Sequence, residues 1–335
     1  MGGVLMDREE RQAFWDALCR ADGKDIANDW STIRKTLYYP DFLFRYRAVS
    51  VSSIDALQLN YLYYSNADYY DDPFDTLIKI DYGKIHSSIK EILSEKDVSA
   101  QLKSMCDALN IREEIYNNAN NILETKSTEE IDIYVDRFLK DHIQSILKQS
   151  LWTACFTESG VNETMWLKYA DQYKGFCLVY DMKDTEKLKC GRLEKCGNCV
   201  VNSMGFSLYP VYYSDNGYDA TEYAKRLAVS FIVQNKIPSY ADAIMKMLPN
   251  GLWEQERITL VKSKCHEYDQ EWRMILHNKA SGPMLQEWVP YGVIIGLRTS
   301  DQNRKIILRS AKNAGIEHIF ETFINDNNKL DMREI

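Results

Sequence analysis

The chain has 335 residues, of which 45% are hydrophobic, enough apolar material for one large domain or one domain with a sizeable insertion. Its 41 basic and 49 acidic side chains give a formal net charge of −8, a balance that argues against a protein that grips a nucleic-acid backbone by electrostatics. No apolar run approaches the roughly 20 residues that cross a bilayer. The charged opening "MGGVLMDREERQAFW" is not typical of a signal peptide, so we expect a cytoplasmic protein.

The first predicted elements alternate between helices and strands. Residues 7–35 have helical periodicity, and residues 43–50 are typical of a strand. Residues 50–60 begin with Ser and Asp ahead of an apolar face, which predicts a short capped helix. The aromatic residues 61–66 predict a second strand, and the aspartate-rich residues 67–75 predict a loop.

Residues 84–150 differ in character from the segments on either side. They are polar, free of Pro and of Gly, and have isoleucines and leucines at helical spacing. This pattern predicts two or three helices inserted between strands.

From residue 151 the pattern of strands returns. We predict strands at 151–159, 175–181, 208–215, 269–276, 289–297 and 317–325, and helices at 162–174, 219–248, 250–267 and 299–316. The sequence therefore predicts a single α+β domain over residues 1–335, with a mixed sheet and a helical insertion.

A cysteine-rich loop at 190–199, "CGRLEKCGNC", suggests a metal site. Cys190, Cys196 and Cys199 are separated by glycines that permit tight turns, and Cys265 or His266 could supply the fourth ligand of a structural zinc. The alternative is a surface loop with free thiols. The remaining cysteines mostly lie in apolar surroundings, as expected of small core residues in a reducing compartment.

Two arginines, Arg45 and Arg47, lie near the end of the first strand, and the next strand and its loop supply tyrosines and a serine. Such residues can clamp a phosphate or a ribose and stack an aromatic base. The alternative is that both arginines pair with the nearby aspartates, which is the commoner arrangement.

Glu271 and Asp269 are the candidate catalytic carboxylates. If both lie in one strand, their side chains point to the same face and could divide the work of binding and charge stabilisation. The alternative is a salt bridge from Glu271 to Arg273 on that face. The sequence contains no phosphate-binding loop motif and no dinucleotide-binding glycine fingerprint.

The chain resembles a widespread bacterial family, the domain-of-unknown-function family twenty-nine seventy-one, from about residue 38 to 300. The segments that carry the resemblance are "FRYR" (44–47), "LYYSNADYYDDPFD" (62–75), "ACFTES" (154–159), "MWLKYADQYKGFCLVYD" (165–181), "YPVYYSD" (209–215) and "DQEWRMIL" (269–276). The helical insertion and the cysteine loop lie in the variable parts.

This family pattern is in turn similar to ADP-ribosyltransferases, and that similarity implies an ADP-ribosyltransferase-like core acting on NAD. Glu271 would stabilise the oxocarbenium-like transition state, and Asp269, which departs from the usual Glu or Gln, would orient the acceptor. Arg47 would anchor the pyrophosphate or the ribose, and Tyr64 or Tyr46 would stack the nicotinamide. Tyr64 or Ser65 matches the polar position of the second strand.

By analogy, the chain could be a toxin or an anti-phage effector that modifies a protein or nucleic-acid acceptor and has an antitoxin or defence-system partner. A second hypothesis is a non-enzymatic module that senses a nucleotide or a phage protein in the same cleft. A third is a metal-dependent nuclease using Asp68, Asp72 and Asp75, which the acidic balance disfavours.

Overall fold

The structure of the protein is a computed structural model. It describes residues 5–70, 72, 74–76, 78–85, 151–183, 188–189, 208–227, 251–276 and 284–335. The cysteine loop at 190–199 and nearly all of the predicted insertion lie outside the described residues, apart from residues 84 and 85, which are helical.

Two helices, α1 (Arg8–Arg20) and α2 (Ile26–Arg34), open the described chain. Asp7 caps α1 through a capping box with Glu10, and Asp25 caps α2. The aspartate side chains accept hydrogen bonds from backbone N–H groups of the first turn, which otherwise have no partner. The helical prediction for residues 7–35 is confirmed for most of its length, with a break at residues 21–25.

The next elements are β1 (Phe42–Arg47), α3 (Val51–Gln58) and β2 (Tyr61–Asn66). Ser50 caps α3 as the sequence predicts, in a reciprocal pair with Ser53. A 3-10 turn (Ala67–Tyr69) and the two-residue β3 (Ile78–Lys79) follow.

The second half of the chain supplies most of the strands. These are β4 (Trp152–Thr157), β5 (Phe176–Asp181), β6 (Leu188–Lys189), β7 (Leu208–Pro210), β8 (Tyr212–Tyr213), β9 (Tyr218–Asp219), β10 (Val261–Lys262), β11 (Glu271–Leu276), β12 (Met284–Trp288), β13 (Gly292–Ile295), β14 (His318–Ile324) and β15 (Leu330–Glu334). The helices are α4 (Glu163–Tyr169), α5 (Glu254–Thr259) and α6 (Asp301–Asn313), with a 3-10 helix at Lys264–Asp269.

The main sheet has the order β15-β14-β13-β5-β1-β4-β2-β12-β6, and β11 branches from it by pairing with both β4 and β7. Its pairings are antiparallel except β13 with β14, which run parallel and are connected through α6. The predicted α+β class with a mixed sheet is confirmed. Within the described residues, no helix combines the length and the apolar character needed to cross a membrane.

The two faces of the sheet bury different clusters. One face packs against α1, α2, α3 and α6 through a core that includes Phe14, Trp272 and Trp288. The other face packs against α4, where Trp166 is fully buried. Because side chains alternate along a strand, β1 sends Leu43 to the first cluster, and Phe44 and Tyr46 to the second.

A split in the sheet creates the space for a site. β1 pairs with β5 along its whole length, but with β4 it pairs only at Phe44 and Thr157. Beyond that pair β1 and β4 separate, and β4 pairs instead with β2 at Ser65 and Asn66. Arg45 bridges the gap, since its Nη2 donates to the carbonyl oxygen of Tyr63 over 2.7 Å.

Three predicted elements differ from the observed ones, and two five-residue strands, β12 and β15, were not predicted. The predicted strand at 208–215 is two short strands, and the predicted helix at 250–267 ends at Thr259, where β10 begins. The strand predicted at 269–276 begins only at Glu271, because Gln270 adopts the left-handed conformation with φ 45° and ends the preceding 3-10 helix.

Candidate active site

A cavity of about 230 Å³ lies where β1 separates from β4. Residues of β1, β4, α4, β10 and β11, with the loop that follows β2, form its walls. Its lining includes the predicted site residues Arg47, Tyr46, Ser65, Asp269 and Glu271. Residues that lie far apart in the sequence therefore meet at one place.

Glu271 lies at the centre of a buried ionic cluster. Its Oε1 accepts a hydrogen bond from Arg273 Nε at 2.7 Å, and its Oε2 accepts one from Lys262 Nζ at 2.8 Å. Arg273 also donates to both oxygens of Asp75, at 2.9 and 2.6 Å, and Lys262 donates to Asp269 Oδ2 at 2.8 Å. The predicted pair of Glu271 with Arg273 exists, but Glu271 is only 5% exposed and Arg273 only 1%, so it is not a surface salt bridge.

The cluster keeps Glu271 ionised. Burial alone would raise the pKa of this carboxyl group, but the guanidinium of Arg273 and the ammonium of Lys262 together lower its pKa well below the ordinary range. Burial alone would likewise lower the pKa of Lys262, and the carboxylates of Glu271, Asp75 and Asp269 raise that pKa. At neutral pH the cavity wall therefore presents fixed charges.

Asp269 reaches the cluster by a route that the sequence did not predict. It ends the 3-10 helix, so its side chain does not share a strand face with Glu271. The left-handed Gln270 reverses the chain between them, and both carboxylates converge on Lys262 Nζ at 2.8 Å. Asp269 is 1% exposed, and its Oδ1 has no hydrogen-bond partner among the described residues.

The 3-10 helix is held by contacts with its neighbours. His266 Nε2 lies 3.1 Å from Asp72 Oδ2, and His266 Nδ1 lies 3.6 Å from Asp269 Oδ2. Asn162, at the start of α4, donates from Nδ2 to the Tyr268 carbonyl oxygen at 2.6 Å. These contacts fix the orientation of Asp269 toward the cavity.

On the opposite side of the cavity, β1 contributes two arginines. Arg45 is 5% exposed, its guanidinium lies over the ring of Phe156, and its Nε has no hydrogen-bond partner in the described part of the chain. Arg47 is half-buried, and its side chain makes no hydrogen bond or ion pair to a described residue. The predicted pairing of these arginines with nearby aspartates is not found for the described side chains of Asp72 and Asp75, which instead face His266 and Arg273.

The aromatic residues predicted to stack a ligand have structural partners. Tyr64 is 4% exposed and donates from its hydroxyl to Met274 Sδ at 2.8 Å, and it does not line the cavity. Tyr46 does line the cavity, but its ring packs edge-on against Trp166 and its hydroxyl donates to the Ser159 carbonyl oxygen at 2.7 Å. Neither ring is free to stack, whereas Tyr69, also in the lining, is 81% exposed.

A thiol is part of the cavity wall. Cys155 faces Arg273 across the β4–β11 pair, and its Sγ lies 3.6 Å from Thr153 Oγ1. Burial, and then the charge of Glu271, raise the pKa of Cys155 to about 11. The thiol is therefore protonated at neutral pH, and it is a poor nucleophile in this environment.

Of the candidate zinc ligands, Cys265 and His266 lie in the described residues. Cys265 is exposed, and its Sγ lies 3.3 Å from Ser263 Oγ. The neighbouring His266 is engaged with Asp72, as described above. Across the described ranges, no three His, Cys, Asp or Glu residues are grouped to hold a metal ion. The zinc site at 190–199 stays a prediction.

The sequence pattern does not identify the cations that hold Glu271 and Asp269. It predicts a helix at Lys262, which lies in β10, and it offers Arg273 only as a salt-bridge partner of Glu271. It offers Asp75 as a metal ligand or as a partner of Arg45 or Arg47, but Asp75 binds Arg273 across 198 positions of sequence. A lysine and an arginine in otherwise apolar strands were the available signal, because a buried charge needs a partner.

Residues 165–274 match the model of a protein family described as a protein of unknown function, DUF2971. This segment of the chain is therefore similar to that family. The matched segment runs from α4 to β11 and includes Lys262, Asp269, Glu271 and Arg273, whereas Arg45, Arg47 and Asp75 precede it. The resemblance drawn from the sequence is confirmed there. No curated protein and no solved structure matches the chain.

Proposed function

We propose that this protein binds NAD in the cavity and cleaves the bond between nicotinamide and ribose, as an ADP-ribosyltransferase. The observation that carries the proposal is that Glu271, a buried carboxylate, and Arg47, a cation with no described partner, line one cavity. In the cleavage, nicotinamide leaves with the electron pair of the C–N bond. An acceptor oxygen or nitrogen then bonds to C1′ and gives up its proton.

Glu271 suits the proposed role because its charge is fixed before a ligand arrives. Its lowered pKa keeps it ionised at neutral pH, and Lys262 and Arg273 hold both its oxygens in place. The three carboxylates and two cations of the cluster leave one formal negative charge. A preorganised negative charge beside the ribose would stabilise an oxocarbenium-like transition state.

The size of the cavity suits one end of the substrate. Typical ligand pockets span about 300–1,000 Å³, so a cavity of about 230 Å³ is too small for a whole dinucleotide. We expect the nicotinamide riboside end to enter between Glu271 and β1, with Arg47 at the phosphates and the adenosine outside. Tyr69, at the cavity wall and largely exposed, is better suited than Tyr46 or Tyr64 to contact a ring.

A second candidate function is binding without turnover, as in a nucleotide-sensing module. It is favoured by one specific observation: both oxygens of Glu271 already accept hydrogen bonds from cations. These cations reduce the negative charge that the carboxylate could offer to a cationic transition state. The two functions differ in product formation, because only the enzyme releases nicotinamide.

The test uses NAD labelled in the adenylate part, incubated with the full-length protein and a total cell lysate. If the protein is an enzyme, it should release nicotinamide and transfer the labelled ADP-ribose to protein, to nucleic acid or to water. Binding of NAD without nicotinamide release would favour the sensing module. If the protein neither bound NAD nor released nicotinamide, both proposed functions would be wrong. The toxin or anti-phage role and an antitoxin partner stay predictions. Growth of cells that express the wild type or Glu271→Gln tests the toxin role.

A further inference from the structure

Buried cations in this protein follow a consistent pattern with one exception. Arg11 pairs with Glu158 at 2.6 Å, Arg257 with Glu254 at 2.6 Å, and Arg273 with Asp75 at 2.6 Å. Lys262 pairs with Asp269 and Glu271. Arg45 is as buried as these residues, yet no described carboxylate lies in ion-pair distance of it, or of its neighbour Arg47.

Arg45 and Arg47 lie two residues apart in β1, so both side chains project from the same face of the strand. Both line the cavity. Burial lowers the pKa of Arg45, and burial together with the charge of Arg45 lowers the pKa of Arg47 to about 9. Two like charges are therefore held close together, at a cost in free energy that an anion in the cavity would offset.

We propose that Arg45 and Arg47 form a subsite for a phosphate-type oxyanion, such as the diphosphate of a nucleotide. Guanidinium groups donate two parallel hydrogen bonds to phosphate oxygens, and Arg45 Nε and the guanidinium of Arg47 have no acceptor among the described residues. Two cations match a doubly charged phosphate group better than they match a singly charged carboxylate group. The subsite adds Arg45 to the binding residues and does not depend on the bond cleavage proposed above.

The two sides of the cavity should bind different parts of a ligand. The wall with Glu271, Asp269 and Asp75 repels an anion, whereas the β1 wall attracts one. A phosphate group should therefore lie against β1, with the uncharged part of the ligand toward β11. A nucleoside without phosphate would leave both arginines without an acceptor and should bind more weakly.

The test measures binding of inorganic pyrophosphate to the full-length protein by calorimetry, at constant ionic strength, with acetate as the comparison anion. We expect pyrophosphate to bind and to raise the melting temperature, and acetate to do neither. Arg47→Met should weaken pyrophosphate binding at least about tenfold, since charged hydrogen bonds are lost. Arg45→Lys, which keeps the charge but not the planar fork, should weaken it less. The control Arg309→Gln removes an exposed arginine of α6 and should bind as the wild type does.

The melting temperature of the Arg47→Met variant without a ligand is a second test of the proposal. Because Arg47 lacks a described partner, Arg47→Met should melt no lower than the wild type. A clear loss of stability would show that Arg47 has a stabilising partner in the protein and would overturn the inference, as would unchanged pyrophosphate binding or equal binding of acetate. Arginine-dependent pyrophosphate binding without nicotinamide release would keep the subsite and refute the transferase. Nicotinamide release, together with pyrophosphate binding that does not depend on the two arginines, would support the transferase and refute the subsite.

Discussion

Replacing Glu271 by glutamine separates a role in chemistry from a role in stability. The change removes one carboxylate from the ionic cluster, but each cation keeps another: Lys262 keeps Asp269 at 2.8 Å, and Arg273 keeps both oxygens of Asp75. Removing the sole partner of a buried charge costs about 3–5 kcal/mol, and a hydrogen bond to a charged group contributes about 1.5–3 kcal/mol. We therefore expect Glu271→Gln to lose about 2 kcal/mol of stability and to remain folded.

The same change should lower the rate of nicotinamide release by about 10²-fold or more, because the charge that stabilises the transition state is gone. The matched control is Glu254→Gln. Glu254 is also a buried carboxylate paired with an arginine, Arg257 at 2.6 Å, and it lies outside the cavity lining. The control should lose at least as much stability, measured by urea unfolding, and keep its activity. Equal activity of Glu271→Gln and the wild type would show that Glu271 has no role in the reaction.

Three further predictions use other features. Gly175→Ala should lower stability by about 1–3 kcal/mol and weaken NAD binding, because the added Cβ would lie 2.1 Å from the Arg47 carbonyl oxygen; calorimetry and unfolding measure both effects. Cys155, with a pKa of about 11, should react with iodoacetamide at pH 8 more slowly than the exposed Cys265. Glu271→Gln should lower the pKa of Cys155 and so speed its reaction. Peptide mapping by mass spectrometry measures both rates. Protein purified without chelator should hold zinc at Cys190, Cys196 and Cys199; less than about 0.2 equivalents by elemental analysis would contradict this.

The local structure could be predicted where the cause is local. Asp7 and Ser50 cap α1 and α3 through contacts within three residues, so short sequence windows contain the necessary information. The sequence also predicts strands at the positions of β1 and β11. The strand β12 was missed because its partners, β2 and β6, lie far away in the sequence, and pairing with them determines the strand.

The candidate site shows the limit of reasoning from periodicity. Asp269 and Glu271 do converge, but through a left-handed Gln270 that places Asp269 outside the strand. A non-glycine residue with positive φ is uncommon, and its position cannot be read from alternation. The partners of Arg273 and Lys262, and the burial of Tyr64 against Met274, depend on tertiary packing.

A crystal structure of the full-length Glu271→Gln protein with NAD would show whether the cavity holds the reacting bond. We expect C1′ of the nicotinamide ribose to lie within about 3.5 Å of the side chain at position 271, with the diphosphate on Arg45 and Arg47. NAD bound outside this cavity, or bound with its diphosphate against the carboxylate wall, would contradict this expectation.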